Sequence, residues 1–149
     1  MGKKYIISID LGGTNLKAAI LDLKYKIRNR SVLSTKRFVK KEELISAVVF
    51  CVEAAIAGNN LKKKDILGLG LGLPGPVDAG KGIVHFLPNI PGWKEVKLAK
   101  ILNKRLGLPV SLDNDVNLMS IGELAFGAAK GFRNVLCVTL GTGVGGGLI

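Results

Sequence analysis

The sequence contains few residues of several types, and each shortage excludes a class of protein. Of the 149 residues, two are cysteines and one is a histidine. Cys51 and Cys137 are far apart and lie within apolar runs, so we expect buried, reduced thiols and neither a disulfide framework nor a metal site. No apolar run reaches the length of about 18 residues that a transmembrane helix needs. The first residues lack the architecture of a signal peptide, so we predict a cytoplasmic protein without a membrane partner.

Aromatic and acidic residues are scarce as well. Aromatic residues make up 5% of the chain, and 11 acidic residues stand against 22 basic ones, which gives a net charge of +11. Such a charge calls for a test of nucleic-acid binding. However, the basic runs contain only Tyr25 and Phe38, whereas single-strand binders usually add a series of stacking aromatic residues. We therefore expect solvated lysines that attract anionic substrates, and no nucleic-acid partner.

The residues that are present point first to the stretch 5–20, in which two apolar runs flank a Gly-containing turn. This pattern predicts a β-hairpin. Gly12 and Gly13 permit positive φ angles and bring backbone N–H groups close to an anion. A carboxylate at Asp10, beside a phosphate, requires a cation between them, and Mg²⁺ is the usual one. A plain tight hairpin with a capping aspartate is the alternative. The predicted phosphate contacts of this turn are Gly12, Gly13, Thr14, Asn15 and Lys17.

A similar stretch recurs at the end of the chain, where residues 138–149 align without a gap with residues 9–20. The alignment predicts two related strand–turn–strand units that hold one phosphate chain. Two Gly-rich hairpins that are alike only in composition are the alternative. We interpret residues 1–127 as an N-terminal subdomain and residues 128–149 as the start of a second, truncated one. The predicted contacts of the second turn are Gly141, Thr142, Gly143, Val144 and Gly145.

Hydrophobic periodicity predicts the remaining elements and a mixed sheet with an antiparallel meander and packed helices, which is an α/β fold. From Leu67 to Leu73, leucines alternate with glycines, and glycine inside a strand often marks the close approach of another backbone. The G-x-G-x-x-G match at 70–75 opens no helix, so we reject a dinucleotide site. The predicted strands are 5–11, 16–23, 30–38, 66–73, 110–112 and 135–140, and the predicted helices are 41–57, 97–106 and 116–127.

Asp115 follows a predicted strand and precedes a predicted helix. Ligands of open α/β sheets bind at the carboxyl ends of strands. Aspartate and asparagine are also the favoured N-caps, and from the local sequence both interpretations remain open. The lone histidine, His85, lacks a partner group in the sequence, and we expect a loop or strand residue without a catalytic role.

Five segments, taken in order, resemble the sequence blocks of the ROK family of repressors, open-reading-frame proteins and sugar kinases. That family has an actin-like ATPase fold of the ribonuclease H-like type. The resemblance covers nearly the whole chain. The segments are DLGGT at 10–14, LPGPVD at 73–78, PNIPGW at 88–93, LDNDVN at 112–117 and LGTGVGGG at 140–147.

The resemblance implies a phosphotransferase in which Asp115 is the general base on a sugar hydroxyl. Asn89 and Asn114 would bind sugar hydroxyls, and Gly75 would line that pocket. The two turns would hold the phosphates of ATP, and Asp10 would orient Mg²⁺ through water. The loop 88–93 resembles the glucokinase version, so we expect glucose to be converted to glucose 6-phosphate, as in glycolysis.

The resemblance also implies what this chain lacks. The family's zinc motif and adenosine pocket would lie beyond residue 149, so we expect the chain alone to be inactive and the full-length protein to be a homo-oligomer. A sugar-responsive regulator of the same family is one rival, although no helix-turn-helix fits before the first strand. A non-kinase actin-like nucleotide switch is the other.

Overall fold

Nine strands and three α-helices make up the part of the chain that the structure, a computed structural model, describes: residues 4–13, 15–34, 40–87, 90–140 and 144–149. The helices are α1 (Lys41–Gly58), α2 (Leu98–Leu106) and α3 (Asp115–Phe126), and a 3₁₀ turn covers Lys63–Asp65. The strands are β1 (Tyr5–Leu11), β2 (Asn15–Asp22), β3 (Ile27–Ser34), β4 (Ile66–Leu73), β5 (Val77–Asp78), β6 (Ile83–Val84), β7 (Val110–Asn114), β8 (Leu136–Leu140) and β9 (Val144–Leu148).

Five strands form a mixed sheet in the order β3-β2-β1-β4-β7. The first three are an antiparallel meander, and β4 and β7 add to it in parallel. Parallel neighbours need a crossover connection, and α1 and α2 supply the two crossovers. The predicted mixed sheet with packed helices is confirmed.

The hydrophobic core lies on the face of this sheet that α1 and α2 cover. Alternate residues of β1 and β4 are buried there, as are side chains one helical turn apart on both helices. α1 contacts β2 and α2, and α2 contacts β7. The central side chains are Ile7, Ile9, Leu69, Leu71, Val48, Val52, Leu98 and Leu102.

The opposite face of the sheet receives α3 beside β4 and β7. The glycines of β4 point to this side, and a Cβ atom on Gly72 would lie 3.3 Å from Leu118 Cδ1 and 3.7 Å from the Cα atom of Asp115. On the same strand, a Cβ atom on Gly68 would lie 3.0 Å from the carbonyl oxygen of Pro109. The prediction that these glycines mark close approach is therefore confirmed at two of the three positions, since a Cβ atom on Gly70 would meet none of the described residues within 4 Å.

Two predicted strand boundaries differ from the structure by two or more residues, and Leu67 does not lie on the face of the other β4 leucines. β3 begins at Ile27, three residues earlier than expected, and residues 35–39 lie outside the described residues. β7 extends to Asn114 because Asp113 and Asn114 pair with β4. Leu67 is exposed while Ile66 is buried, because the pairing with β1 shifts between Tyr5 and Ile6 and inserts one extra residue.

The two aligned segments both form antiparallel hairpins. β1 ends at Leu11 and β8 at the aligned Leu140, while β2 and β9 begin at the aligned residues Asn15 and Val144. The registers differ by one residue, because Leu11 pairs with Leu16 whereas Leu140 pairs with Val144. The similarity therefore extends beyond composition to the positions of the strands.

The burial of the two cysteines and the length of the helices can be compared with the predictions. Both cysteines are free; Cys51 is buried, and burial raises the pKa of its thiol. Cys137 is only partly buried, contrary to expectation, because it lies on a two-stranded hairpin with a single helix against it. None of the described helices combines the length and the apolar character that a membrane crossing requires.

Candidate functional site

The candidate site begins as a row of residues across the sheet. Lys17 pairs with Asp10, Asp10 with Gly72, and Gly72 with Asp113, so these four residues lie side by side on β2, β1, β4 and β7. Adjacent strands are about 4.8 Å apart. Because Gly72 lacks a side chain, the first turn of α3 can lie close over the row between the two aspartates.

An open cleft of about 460 Å³ lies over the middle of this row, at Asp10 and Gly72, and Asp115 lines it as well. The first turn of α3 forms one wall of the cleft and the end of β1 forms another. Thr139 of β8 contributes the far side. The remaining lining residues are Ser8, Ile9, Gly72, Val116, Leu118 and Met119.

The start of α3 settles which residue caps the helix. Asn114 is the N-cap, because its Oδ1 accepts hydrogen bonds from the N–H groups of Val116 at 2.9 Å and Asn117 at 3.2 Å. Asp115 is the first helical residue, and its Oδ1 also accepts from Val116 N–H at 2.9 Å. The carboxylate therefore lies at the positive end of the helix without being needed as the cap.

The surroundings of Asn114 fix this strand-to-helix junction. Its Nδ2 atom donates to the carbonyl oxygen of Gly75 at 3.0 Å, so the turn after β4 is tied to α3. Gly75 has a φ of 88°, a left-handed value that glycine adopts without strain. Asp113 Oδ1 accepts from Asn114 N–H at 2.6 Å and from Asn117 Nδ2 at 3.1 Å. Sequence reasoning assigned no role to Asp113 and Asn117, although the polar run 113–117 was the signal for both.

Asp10 faces Lys17, whose Nζ lies 3.6 Å from Asp10 Oδ2, and both side chains are more than half exposed. Such a pair contributes little to stability. Among the described residues, no three His, Cys, Asp or Glu side chains form a metal site by themselves. Mg²⁺ is usually held by one or two carboxylates together with substrate phosphates and water. The exposed Asp10 carboxylate at a strand end fits that role.

The first Gly-rich turn is closed by a hydrogen bond from Gly12 N–H to the carbonyl oxygen of Asn15 at 2.8 Å. That N–H group therefore takes part in the turn itself. A Cβ atom on Gly12 would lie 3.3 Å from the same oxygen, so a larger residue would strain the turn. Gly13 is exposed, and Thr14 lies outside the described residues.

The second turn, Gly141, Thr142 and Gly143, also lies outside the described residues. Val144 is 78% exposed. A Cβ atom on Gly145 would approach Val116 Cγ2 at 2.7 Å and Thr139 Oγ1 at 2.6 Å. Gly145 therefore allows the β8–β9 hairpin to lie against the first turn of α3, in addition to any contact with phosphate.

The loop that resembles a sugar-binding segment is anchored by Trp93. Its side chain is buried, and its indole Nε1–H donates to the carbonyl oxygen of Val84 at 3.2 Å. Asn89 lies outside the described residues. His85 does have a partner, contrary to expectation, because its Nδ1 lies 2.7 Å from Glu95 Oε1.

Comparison with known proteins assigns the chain to a family, since residues 6–149 match the ROK family. The chain belongs to the ROK family. Its structure is similar to a ROK family glucokinase from Streptomyces griseus in complex with glucose and AMPPNP, with a TM-score of 0.82, 35% identity, and coverage of 97% of this chain and 44% of the other. The actin-like α/β fold predicted from the sequence is confirmed.

ROK relatives of both kinds, kinases and repressors, resemble this chain. It is 38% identical to the glucokinase of Streptomyces coelicolor over 146 residues, which cover 96% of this chain and 43% of the relative. It is 33% identical to a putative xylose repressor of a Caldicellulosiruptor species over 144 residues, which cover 97% of this chain and 36% of the relative. The chain thus spans less than half the length of these relatives.

Proposed function

We propose that the whole protein transfers the γ-phosphoryl group of ATP to a hydroxyl group of a hexose, with glucose converted to glucose 6-phosphate. The observation that carries the proposal is that Asp10 and Asp115 open on the same cleft. One carboxylate lies at the end of β1 beside the Gly-rich turn, and the other lies at the start of α3. Phosphoryl transfer to an alcohol needs this pairing of a phosphate site with a group that accepts the hydroxyl hydrogen.

Asp115 is the proposed catalytic residue. An aspartate is a weak base toward a sugar hydroxyl, so Asp115 acts mainly by orienting the hydroxyl and accepts its proton as the attack on phosphorus proceeds. Asn114 already supplies the helix cap, which leaves the Asp115 carboxylate to the cleft. The proposed sugar contacts are Asn114 and Asn89, with Gly75 in the adjoining turn held by Asn114.

The phosphate side of the cleft uses charges on β1 and β2. Asp10 would hold Mg²⁺ through water, and bound Mg²⁺ would neutralise phosphate charge in the transition state. Lys17, now beside Asp10, would contact a phosphate oxygen. The two Gly-rich turns would supply the remaining phosphate contacts through backbone N–H groups other than that of Gly12, which closes its own turn.

Regulation by a sugar is the second candidate function, because a putative xylose repressor is 33% identical to this chain. A regulator needs the sugar site but not the transfer step. It would bind sugar with Asp115 replaced by asparagine much as before, and it would bind DNA. The net charge of +11 is spread over the whole chain and does not by itself favour this function.

The direct experiment is a kinase assay with ATP, Mg²⁺ and a panel of hexoses. The protein assayed is the completed chain, which we define as this chain followed by the part of the Streptomyces coelicolor glucokinase beyond the match. A second fusion, to the Streptomyces griseus glucokinase, guards against a fusion that does not fold. We expect ATP-dependent phosphorylation with a preference for glucose. Sugar binding without turnover in both folded fusions would contradict the proposal and favour a regulator.

The proposal includes a cytoplasmic location and a homo-oligomeric whole protein. Hexose and ATP meet in the cytoplasm. Size-exclusion chromatography with light scattering on the completed chain tests the oligomeric state. The division into subdomains at residue 127 is part of the same proposal, and α3 lies next to the β8–β9 hairpin that would begin the second subdomain.

A further inference from the structure

His85 and Glu95 join the two ends of the loop that runs past Trp93. His85 Nδ1 lies 2.7 Å from Glu95 Oε1, and Glu95 N–H donates to the carbonyl oxygen of His85 at 3.1 Å. One residue further along, Val84 and Val96 exchange backbone hydrogen bonds of 2.9 and 3.0 Å. The chain therefore enters and leaves the loop through a short antiparallel bridge. The side chains of His85 and Glu95 close this bridge at the end nearer the loop.

The inner side of this bridge is buried and hydrogen-bonded. Val84 is fully buried and Trp93 is 3% exposed. The carbonyl oxygen of Val84 accepts hydrogen bonds both from Val96 N–H and from the Trp93 indole. The apolar side chains of the loop, Leu87 and Ile90, are buried in the core as well. Burial and backbone hydrogen bonds therefore hold the two segments that carry His85 and Glu95.

Glu95 has a φ of 51°, a left-handed conformation that is unfavourable for a residue other than glycine, asparagine or aspartate. Such a conformation persists when the surroundings hold it in place, and it often occurs at functional sites. Here the holding contacts are the hydrogen bond to His85 O and the side-chain pair with His85 Nδ1.

A chain of hydrogen bonds leads from this pair to the candidate site. His85 N–H donates to the carbonyl oxygen of Pro76 at 3.1 Å. The neighbouring carbonyl oxygen, that of Gly75, accepts from Asn114, and Asn114 precedes the proposed catalytic residue Asp115. His85 is therefore the residue at which the Trp93 loop meets the turn that is tied to α3.

We propose that His85 and Glu95 are positioning residues that hold the Trp93 loop against the Gly75 turn and thereby set the affinity for the sugar. The inference rests on the proposed function, because it links the pair to Gly75 and Asn114, which that function assigns to the sugar. The pair contacts neither phosphate nor the reacting hydroxyl. Asp78, the other carboxylate near His85, is engaged with Lys81 at 3.0 Å, so Glu95 supplies the contact.

The test is a double-mutant cycle in the completed chain with Glu95→Asn, His85→Ala and both together. Asparagine tolerates the left-handed conformation but lacks the reach of glutamate, so the fold is retained. We expect each single change to raise the sugar KM about two- to fivefold, the range for losing one hydrogen-bonded side-chain contact, with the KM for ATP and kcat unchanged. The double variant should be no worse than the more affected single one, because both remove the same contact.

Glu53→Gln is the matched control, since Glu53 is exposed on α1 and its change removes the same charge. The inference is overturned if the sugar KM of Glu95→Asn equals that of wild type. It is also overturned if KM, kcat and the unfolding temperature all change together, which would indicate a merely structural contact.

A second readout separates this inference from the proposed function. In the 149-residue chain, hydrogen exchange of the Trp93 indole N–H reports on the loop without any turnover. We expect faster exchange in Glu95→Asn than in Glu53→Gln. Faster exchange together with an inactive wild-type completed chain would overturn the sugar assignment and the proposed function. It would still support the role of His85 and Glu95 in holding the Trp93 loop. If the indole N–H exchanges equally fast in Glu95→Asn and Glu53→Gln, the pair does not hold the loop, even in an active enzyme.

Discussion

Asn114 and Asp115 are neighbours in the sequence but serve different purposes at the start of α3. The amide of Asn114 caps the helix and holds Gly75, whereas the carboxylate of Asp115 lines the cleft. Either residue type is a favoured cap, so the sequence could not decide between a cap and a site. In the structure Asn114 is the cap, and the carboxylate of Asp115 lines the cleft.

Asn114→Ala tests whether Asn114 is the residue that caps α3. Loss of the cap should lower the free energy of unfolding by about 0.5–2 kcal/mol, and the sugar KM should rise because a ground-state contact is lost. Asn117→Ala is the control, since it removes a contact to Asp113 but leaves the cap acceptor in place. Chemical denaturation and sugar kinetics on the completed chain measure both effects. Equal stability of Asn114→Ala and wild type would refute the capping role.

Asp22 makes stability depend on pH. Its carboxylate accepts from the N–H groups of Lys26 and Lys24 and from Arg28, and these contacts, with Lys26 the largest, hold its pKa below the ordinary value. Because the folded pKa is lower than the unfolded one, this contribution is complete above the unfolded value of about 3.9. It is lost as pH falls through the folded pKa.

We therefore expect the Tm of the chain to fall as the solution is acidified below about pH 4, and less steeply in Asp22→Asn. Differential scanning calorimetry between neutral pH and strong acid provides the measurement. Glu53→Gln, on the surface of α1, should follow wild type. A pH profile of Asp22→Asn that matches wild type would show that this carboxylate makes no such contribution.

At the scale of elements, glycine in β4 allows α3 to pack closely against the sheet, and this packing positions the helix. Gly72 lies between Asp10 and Asp113 in the sheet, and α3 approaches it with Leu118 and the backbone of Asp115. Gly70 belongs to the same strand and the same face, but a methyl group there would have no atom of the described residues within 4 Å. The two glycines therefore form a matched pair for mutation.

Gly72→Ala should displace the first turn of α3, destabilise the fold by about 1–3 kcal/mol as overpacking usually does, and lower kcat because Asp115 moves. Gly70→Ala has room for its methyl group and should be neutral or slightly stabilising, since alanine restricts the unfolded chain. Urea denaturation and kinetics on the completed chain compare them. If both variants behave alike, the close approach of α3 to Gly72 does not position Asp115.

The sequence predicts an element when a local pattern determines it. It does not predict features that arise from contacts distant in the sequence. The alternation in β4 and the spacing of Leu98, Leu102 and Leu106 in α2 are local, and both elements were predicted. The extra residue at Leu67 arises from pairing with β1, and the end of β7 at Asn114 arises from pairing with β4. The partner of His85 was missed because Glu95 reaches it through a left-handed turn that the sequence does not signal.

The second Gly-rich stretch also shows that a local pattern cannot reveal contacts with distant residues. Glycines there predict a phosphate turn, but Gly145 and Gly147 also face α3. A Cβ atom on Gly147 would collide with Ser120 Oγ and lie 3.1 Å from the carbonyl oxygen of Val116. Ser120 itself is fully buried and donates to that oxygen at 2.7 Å. Part of the glycine content therefore serves hairpin–helix packing, which no local pattern distinguishes from anion binding.

At the scale of the whole molecule, the described cleft is open on one side. The outer face of the β8–β9 hairpin is apolar, with Leu136, Leu140, Val144 and Leu148 at least 70% exposed. Contiguous exposed apolar surface is typical of a surface that contacts another part of a protein. The relatives are more than twice as long as the matched part.

We expect the 149-residue chain alone to show no measurable phosphorylation of any hexose and little affinity for ATP. The reason is that Asp10 and Asp115, on two walls of the described cleft, face open solvent, whereas phosphoryl transfer needs a site that closes around the substrates and excludes water. A coupled assay for ADP and calorimetry with ATP measure these quantities, with the completed chain as the positive control. Robust turnover by the 149 residues would contradict the expectation.

The most direct test of the central claim is kcat of the completed chain with Asp115→Asn. Asparagine is nearly isosteric with aspartate but neither accepts the proton nor carries the charge, and the cap on Asn114 is untouched. The account predicts wild-type stability, nearly unchanged sugar affinity, and a fall in kcat of about 10²–10⁴, the usual range for loss of a general base. Wild-type kcat in a folded Asp115→Asn protein would contradict the catalytic assignment.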